Sequence, residues 1–232
     1  MTEAIDPKIF WEEKILGWED SRYGDRSRGW MEKIAGRASS SLRFRIRAAV
    51  ALLAPSIAGR DVVELGCGSG LLAEQLMDLG ARGYRGIDIS EKAIARARER
   101  VAASRHAEAI RFEAGPVSGL PPLGAAVIFS LGLFDWLTPA EIDHVFRAGC
   151  EGHYFHAIAE RRRSLQQMIH RLYVHLSYGH RCAGYVPQYH TVGEIAAVAS
   201  RHGLPAPNIY RDDRMSFGIF VTDLPLPAKR WE

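Results

Sequence analysis

Hydrophobic and polar positions fall into blocks along the chain, and the blocks alternate between two periods. Val62, Val63 and Leu65 form a short apolar run, the pattern of a strand buried on both faces of a parallel sheet. Tyr84–Ile89, Ile110–Glu113, Ala125–Leu131 and Gly152–Ala159 repeat it. Between these runs the apolar positions spread to helical spacing, at Leu72, Leu76 and Leu79, at Ile94, Ala97 and Val101, and at Ile142, Val145 and Phe146. An earlier helix is predicted over Ser41–Leu53. Its stripe is Leu42, Ile46, Ala49, Val50 and Leu53, with Arg43 and Arg47 off it and Pro55 and Gly59 ending it. Two later stripes, Leu165–Leu176 and Ile195–Ala199, predict further helices. Asn208–Tyr210 and Ser216–Val221, joined by Arg211–Met215, predict a closing hairpin at the sheet edge.

Polar residues punctuate these blocks. Ser90 offers a cap to the second helix after the first strand. Thr138, Pro139 and Glu141 form a capping box with proline at the first helical position. Ser164 with Gln167, and Thr191 with Glu194, repeat the box. Strands alternating with helices predict an α/β fold, a doubly wound and mostly parallel sheet made mixed at one edge by the final pair. Ligands of such sheets sit at the carboxyl ends of the strands. The N-terminal stretch is different. Phe10, Trp11, Trp18, Tyr23 and Trp30 make it aromatic, and Gly17, Gly24, Gly29 and Gly36 interrupt it. It is expected to form a helical cap over residues 1–40, laid on a main domain of residues 41–232, with residues 161–190 a helical and loop insertion over the site.

The first strand leads into Glu64-Leu-Gly-Cys-Gly-Ser-Gly70. Glycine removes the Cβ that would hold a ligand away from the backbone, and Glu64 is an acid where a strand serving only as core would rarely carry one. The spacing is not the dinucleotide fingerprint, because Leu71 stands where the third glycine of that pattern falls. The second strand ends in Asp88, roughly 20 residues past the loop, the place for a carboxylate that takes two ribose hydroxyls.

Glu64–Gly70 together with Gly86-Ile-Asp-Ile-Ser90 resembles the S-adenosylmethionine-dependent methyltransferases of class I, the Rossmann-like type with a seven-stranded sheet and an antiparallel last strand. The resemblance implies that Gly66, Cys67, Gly68 and Gly70 pass under the methionine and ribose part of S-adenosylmethionine, which leaves as S-adenosylhomocysteine. Glu64 would act near the cofactor amino group, Asp88 would take the ribose hydroxyls, and Ile89 would pack on adenine. The chain departs from the family pattern at Pro116, which stands where an acid often holds the adenine amine, so that contact falls to Val117 or Ser118. It departs again at Ala125-Ala126, where an acid is common. The order of cap, insertion and hairpin is similar in layout to the magnesium-protoporphyrin O-methyltransferases, without their substrate being implied.

The fourth strand ends in Ser130-Leu-Gly-Leu-Phe-Asp135-Trp136, expected to open under the methyl group. Ser130 is expected on the cofactor side. Asp135 is the first candidate for a catalytic or substrate-orienting group, with a loop cap before Thr138 as the other reading. His190 is the second candidate, and His156 is expected to be a satisfied core histidine. The N-terminal aromatics either anchor the cap or line a pocket, where their faces suit a sulfonium cation. Arg161–Arg163 reads either as a solvated turn or as a docking point for a substrate carboxylate or phosphate.

Composition narrows the function classes. The chain has 232 residues, 47% hydrophobic and 25% charged, with a formal net charge of +3, which fits one globular domain. No basic stripe with interleaved aromatics suggests nucleic acid. Cys67, Cys150 and Cys182 lack metal-ligand spacing, as do the histidines, and fit a reducing compartment. The acidic start lacks the apolar core of a signal peptide. The longest apolar stretch, Ala125–Phe134, is too short to span a membrane. The expectation is a cytoplasmic methyltransferase acting on O or N of a small-molecule acceptor. Two alternatives stand beside it: a cofactor-binding regulator without catalysis, and a nicotinamide-dependent oxidoreductase on the related fold.

Overall fold

In the computed structural model, which describes residues 6–13, 17, 32–162, 167, 187–215 and 217–227, seven strands form one sheet in the order β3-β2-β1-β4-β5-β7-β6. The strands are β1 (Asp61–Leu65), β2 (Gly83–Asp88), β3 (Ile110–Ala114), β4 (Val127–Leu131), β5 (His153–Ala159), β6 (Asn208–Arg211) and β7 (Gly218–Thr222). Neighbours among the first five pair in parallel. β7 runs antiparallel between β5 and β6. The final hairpin therefore turns inward, with β7 buried along its whole length and β6 at the edge.

The helices are α1 (Glu32–Ile57), α2 (Ala73–Asp78), α3 (Glu91–Val101), α4 (Pro139–Ala148) and α5 (Val192–Arg201). Period-2 alternation divides the strands between two cores. Val62, Tyr84, Phe112, Val127, Phe129, Phe155 and Phe220 meet α1, α2 and α3 on one face. Val63, Leu65, Ile87, Ile128, Tyr154, Ile158 and Val221 meet α4 and α5 on the other. The caps form as their residues predict. Ser90 Oγ accepts the Ala93 N–H at 3.1 Å, and Thr138/Glu141 and Thr191/Glu194 close complete capping boxes.

Two helices differ from expectation. α1 extends past Ser41–Leu53 at both ends and runs unbroken through residue 40, the expected end of the cap. Pro55 lies inside its last turn, and the helix ends two residues beyond it, at Ile57. α2 is shorter than Leu71–Leu79. Leu72 and Leu76 are buried, but Leu79 is 39% exposed, and Ala73 and Met77 complete the buried face instead. The capping box at Ser164 and the stripe Leu165–Leu176 lie outside the described residues, Gln167 excepted.

β1 and β4 are neighbours whose following connections depart to opposite faces. Their carboxyl ends, with that of β2, open a cleft at this switch point of the sheet.

Candidate functional site

The loop after β1 turns through three left-handed residues: Gly66 at φ 71°, Gly68 at 52° and Gly70 at 69°. Gly66 N–H and Cys67 N–H both donate to Ile87 C=O, at 2.8 and 3.2 Å. Gly70 N–H donates to Cys67 C=O at 3.0 Å. Gly68 N–H donates to Asp88 Oδ2 at 2.9 Å. Four loop donors are thus spent inside the protein. From outside, Arg100 on α3 clamps Ser69, its Nε donating to the carbonyl at 3.0 Å and Nη2 to Oγ at 3.2 Å. The outer face of α3 therefore includes a brace for this loop.

Asp88 is buried at the end of β2. Besides Gly68, it accepts the Ser90 N–H on Oδ1 at 2.9 Å. Glu64 is buried on the α1–α3 face and accepts the Tyr84 hydroxyl. Burial, reinforced by the Glu64 charge, pushes the Tyr84 pKa up, so it stays a donor. Tyr84 and Glu64 stand diagonally on adjacent strands, a relation that strand alternation alone could have revealed. Ile89 is half-buried beside Asp88, and Val117 is buried in the turn after Pro116, with Ser118 exposed.

Two expected cofactor residues have side chains that point into the core. Cys67 is turned into the core, its thiol near the Gly68 carbonyl and against Gly86, and its backbone N–H and C=O are both used in the turn. Ser130 is fully buried, its Oγ 2.9 Å from His156 Nδ1 on β5. The alternation of β4 sends it into the α4–α5 core. His156 is the satisfied core histidine expected, stacked on Phe134 at 4.2 Å, with burial lowering its pKa to about 3.

The end of β4 brings Asp135 and His190 onto one short stretch. Asp135 Oδ1 accepts the Ala159 N–H at 2.7 Å, and its carbonyl accepts the Gln188 N–H at 2.6 Å. The side chain thus tethers this turn to the end of β5. Burial raises its pKa to about 6, offset in part by the Ala159 N–H and by the charge of Arg45. His190 is buried, and its Nε2 donates to Phe134 C=O at 2.9 Å, which fixes the tautomer of the neutral ring and leaves Nδ1 as acceptor. Arg161 and Arg162 are partly solvated and paired within the protein, and Arg163 lies outside the described residues. Arg161 meets Tyr189 C=O and Glu194, and Arg162 meets Glu160.

Arg45, on α1, escaped the sequence reading. Its Nε is buried without a hydrogen-bond partner, and no carboxylate among the described residues lies within 4.0 Å of its guanidinium. It lies along Gly132, after β4, and Gly218, at the start of β7. A Cβ on Gly218 would stand 2.6 Å from Nη2. Both glycines lie at the cleft edge of the sheet. Across the cleft mouth, Trp11 packs edge-on against Trp136 at 5.0 Å, and Phe10 lies 5.8 Å from Trp136. Among the described residues no three His, Cys, Asp or Glu side chains gather as a metal site, and no helix is long and apolar enough to cross a membrane.

Residues 62–151 match the family described as a methyltransferase domain. The fold is similar to the magnesium protoporphyrin IX methyltransferase of Synechocystis PCC 6803, solved with bound SAH. The TM-score is 0.71 at 17% identity, over 93% of this chain and 96% of that one. A methyltransferase of Mesorhizobium loti, described as S-adenosylmethionine dependent, gives a TM-score of 0.56 at 19% identity, over 80% and 98% of the two chains. The CcbJ methyltransferase of Streptomyces caelestis gives 0.60 at 18% identity, over 88% and 94%. At these identities the likeness is one of fold. No curated protein matches the sequence.

Proposed function

We propose that the chain, whose residues 62–151 match a methyltransferase domain, is a Rossmann-like, S-adenosylmethionine-dependent methyltransferase whose acceptor is a small molecule, methylated at oxygen or nitrogen. The observation that carries the cofactor assignment is the Asp88 clamp. One buried carboxylate at the end of β2 holds both the glycine loop, through Gly68 N–H, and the start of α3, through Ser90 N–H, the place for a group that takes a ribose diol. The spent loop donors point the same way. A pyrophosphate needs free N–H groups, and Gly66, Cys67, Gly68 and Gly70 have none to give. An uncharged ribose needs only the bare backbone. This weighs against the nicotinamide alternative.

When bound, the cofactor supplies a methyl group on a sulfonium whose thioether leaves without charge. The chain has to hold, align and keep dry. Asp88 would hold the ribose, with Ile89 and Val117 flanking the adenine. Glu64, fixed by Tyr84, would set a negative field beneath the amino group. Arg45, whose Nε is buried without a hydrogen-bond partner, would take the carboxylate of the methionine part on its guanidinium fork. Asp135, with a pKa near 6, is ionised at neutral pH and suited to accept the proton of an acceptor hydroxyl or ammonium. His190 holds the Phe134–Trp136 turn that carries Asp135. The aromatic group of Phe10, Trp11 and Trp136 would exclude water from the mouth. An acceptor small enough to be covered by that group is the reason to favour a small molecule.

Calorimetric titration with S-adenosylmethionine, S-adenosylhomocysteine and NADH tests the reading. Both sulfur nucleotides should bind and NADH should not. Asp88→Asn should weaken the sulfur nucleotides about tenfold or more, with unfolding followed in parallel to separate lost binding from lost fold. Binding of NADH alone would overturn the assignment. Turnover with an acceptor should rise from pH 5 to 7 with an apparent pKa near 6, and Asp135→Asn should flatten that rise. Cofactor binding with no turnover over a broad acceptor panel would favour the regulator instead.

A further inference from the structure

The helical residues 7–13 bridge the two walls of the cleft. One wall is the start of α3, immediately after Asp88. There Glu12 Oε1 accepts the Lys92 N–H at 3.1 Å, and Lys8 pairs with Glu91. The other wall is the Phe134–Trp136 turn after β4, where Phe10 and Trp11 meet Trp136. Phe10 is buried at 7% exposure. The glycine loop lies between these walls, because β1 stands between β2 and β4.

Glu12 is the polar fastening of this bridge. Its carboxylate lies over the first turn of α3, an 11-residue helix whose N-terminus favours negative charge. Burial works against its ionisation, but the Ser90 hydroxyl and the Lys92 N–H beside it outweigh this and lower its pKa. Oε2 is buried without a hydrogen-bond partner. Ser90 donates its backbone N–H to Asp88 Oδ1, and Asp88 Oδ2 receives Gly68 N–H. The fastening point is therefore the same residue that orients the ribose carboxylate.

We propose that residues 7–13 are a strap over the bound cofactor, and that Glu12 is the positioning residue that latches it to α3 beside Ser90 and Asp88. The proposal rests on the cofactor reading above. Exchange of cofactor then requires the latch to open, and bound cofactor holds the strap down. The two effects are reciprocal.

Two measurements on the full chain test this, with S-adenosylhomocysteine as the probe. In stopped flow followed by tryptophan fluorescence, Glu12→Ala should release the probe about ten times faster than wild type, the value of one charge-assisted hydrogen bond. Glu12→Gln, which keeps an acceptor for Lys92 N–H, should fall between. Lys8→Ala should change release less than about twofold, because its pair with Glu91 is solvent-exposed. The second measurement is hydrogen exchange of amides 8–13 without any ligand. Glu12→Ala should expose them at least about tenfold more than wild type, and the probe should protect them in wild type only. Unchanged release and unchanged exchange in Glu12→Ala would overturn the latch while leaving cofactor binding intact. Faster exchange of amides 8–13 in a protein that does not bind the probe at all would sustain the fastening and sink the cofactor reading beneath it.

Discussion

Gly70 occupies the third glycine of the loop, and the structure gives it a reason that does not involve a ligand. A Cβ built there would stand 2.6 and 2.8 Å from Phe112 ring carbons and 3.1 Å from Ala97 Cβ. The ring cannot retreat, because a Cβ on Gly86 would stand 2.7 and 2.8 Å from it as well. Phe112 is thus held between two bare glycines, with Tyr84 edge-on at 5.7 Å. Gly70 also has φ of 69°, where alanine costs about 1–2 kcal/mol. Overpacking adds about 1–3 kcal/mol. Gly70→Ala should therefore destabilise by about 2–5 kcal/mol, a large share of a typical domain's total. Urea unfolding with an unchanged m-value reads this directly. Phe112→Leu removes the ring from the collision, so Gly70→Ala/Phe112→Leu should be more stable than the sum of the single losses by about 1–3 kcal/mol. What remains is the backbone strain. A loss below about 0.5 kcal/mol for Gly70→Ala, the ordinary range of a neutral substitution, or strict additivity of the pair, would refute the packing account.

The remaining predictions concern charge. Asp135 has a folded pKa raised from 3.8 to about 6. The native state therefore binds its proton more tightly than the unfolded chain, and stability is lost as pH rises through 6. Asp135→Asn, which keeps an acceptor for Ala159 N–H, should gain over wild type at pH 7.5 by at most about 3 kcal/mol, and urea midpoints should show the gain vanish near pH 4. His156 runs the other way. Its folded pKa is lowered from 6.5 to about 3, so its contribution is lost as pH falls below 6.5, by about 1.4 kcal/mol per pH unit. His156→Met should flatten that part of the acid unfolding curve, and a slope unchanged by the substitution would contradict the buried neutral ring. Arg45→Met should weaken S-adenosylmethionine and S-adenosylhomocysteine about tenfold or more, yet leave 5′-methylthioadenosine, which lacks the carboxylate, unaffected in the same calorimetric titration. Equal losses for all three would remove Arg45 from the carboxylate contact.

Local chemistry was legible in the sequence wherever one element determined it. Ser90, Thr138 with Glu141, and Thr191 with Glu194 cap their own helices through residues three positions away. Val62, Val63 and Leu65 needed only their run, and Asp88 only its place at a strand end. Side chains whose partners come from elsewhere were not legible. Arg100 reaches the loop 31 residues before it. Arg45 is placed by the starts and ends of strands far along the chain. Cys67 and Ser130 show the same limit from the other side. Their small polar side chains suit a cofactor loop or a strand end equally well as core, and only the alternation of β4 and the Gly86 gap decide for the core.

The division has a physical basis that bears on the site itself. The cofactor side is made by β1, β2 and the turn between β1 and α2, a continuous stretch from Asp61 to Ser90 whose backbone bonds close on themselves. Its motif survives as a motif because its contacts stay within one strand–helix–strand unit, between a glycine loop and the acid that ends the next strand. The acceptor side is assembled from Phe134–Trp136, Ala159, Gln188 and His190, joined by Asp135 Oδ1 to Ala159 N–H, Asp135 C=O to Gln188 N–H and His190 Nε2 to Phe134 C=O. Each of these bonds spans 24 residues or more. The backbone groups involved place no demand on residue type at Ala159 or Gln188, so half of each pairing leaves no trace in the sequence. Asp135 and His190 could be named as single candidates, but their common support by one turn is a property of the folded chain.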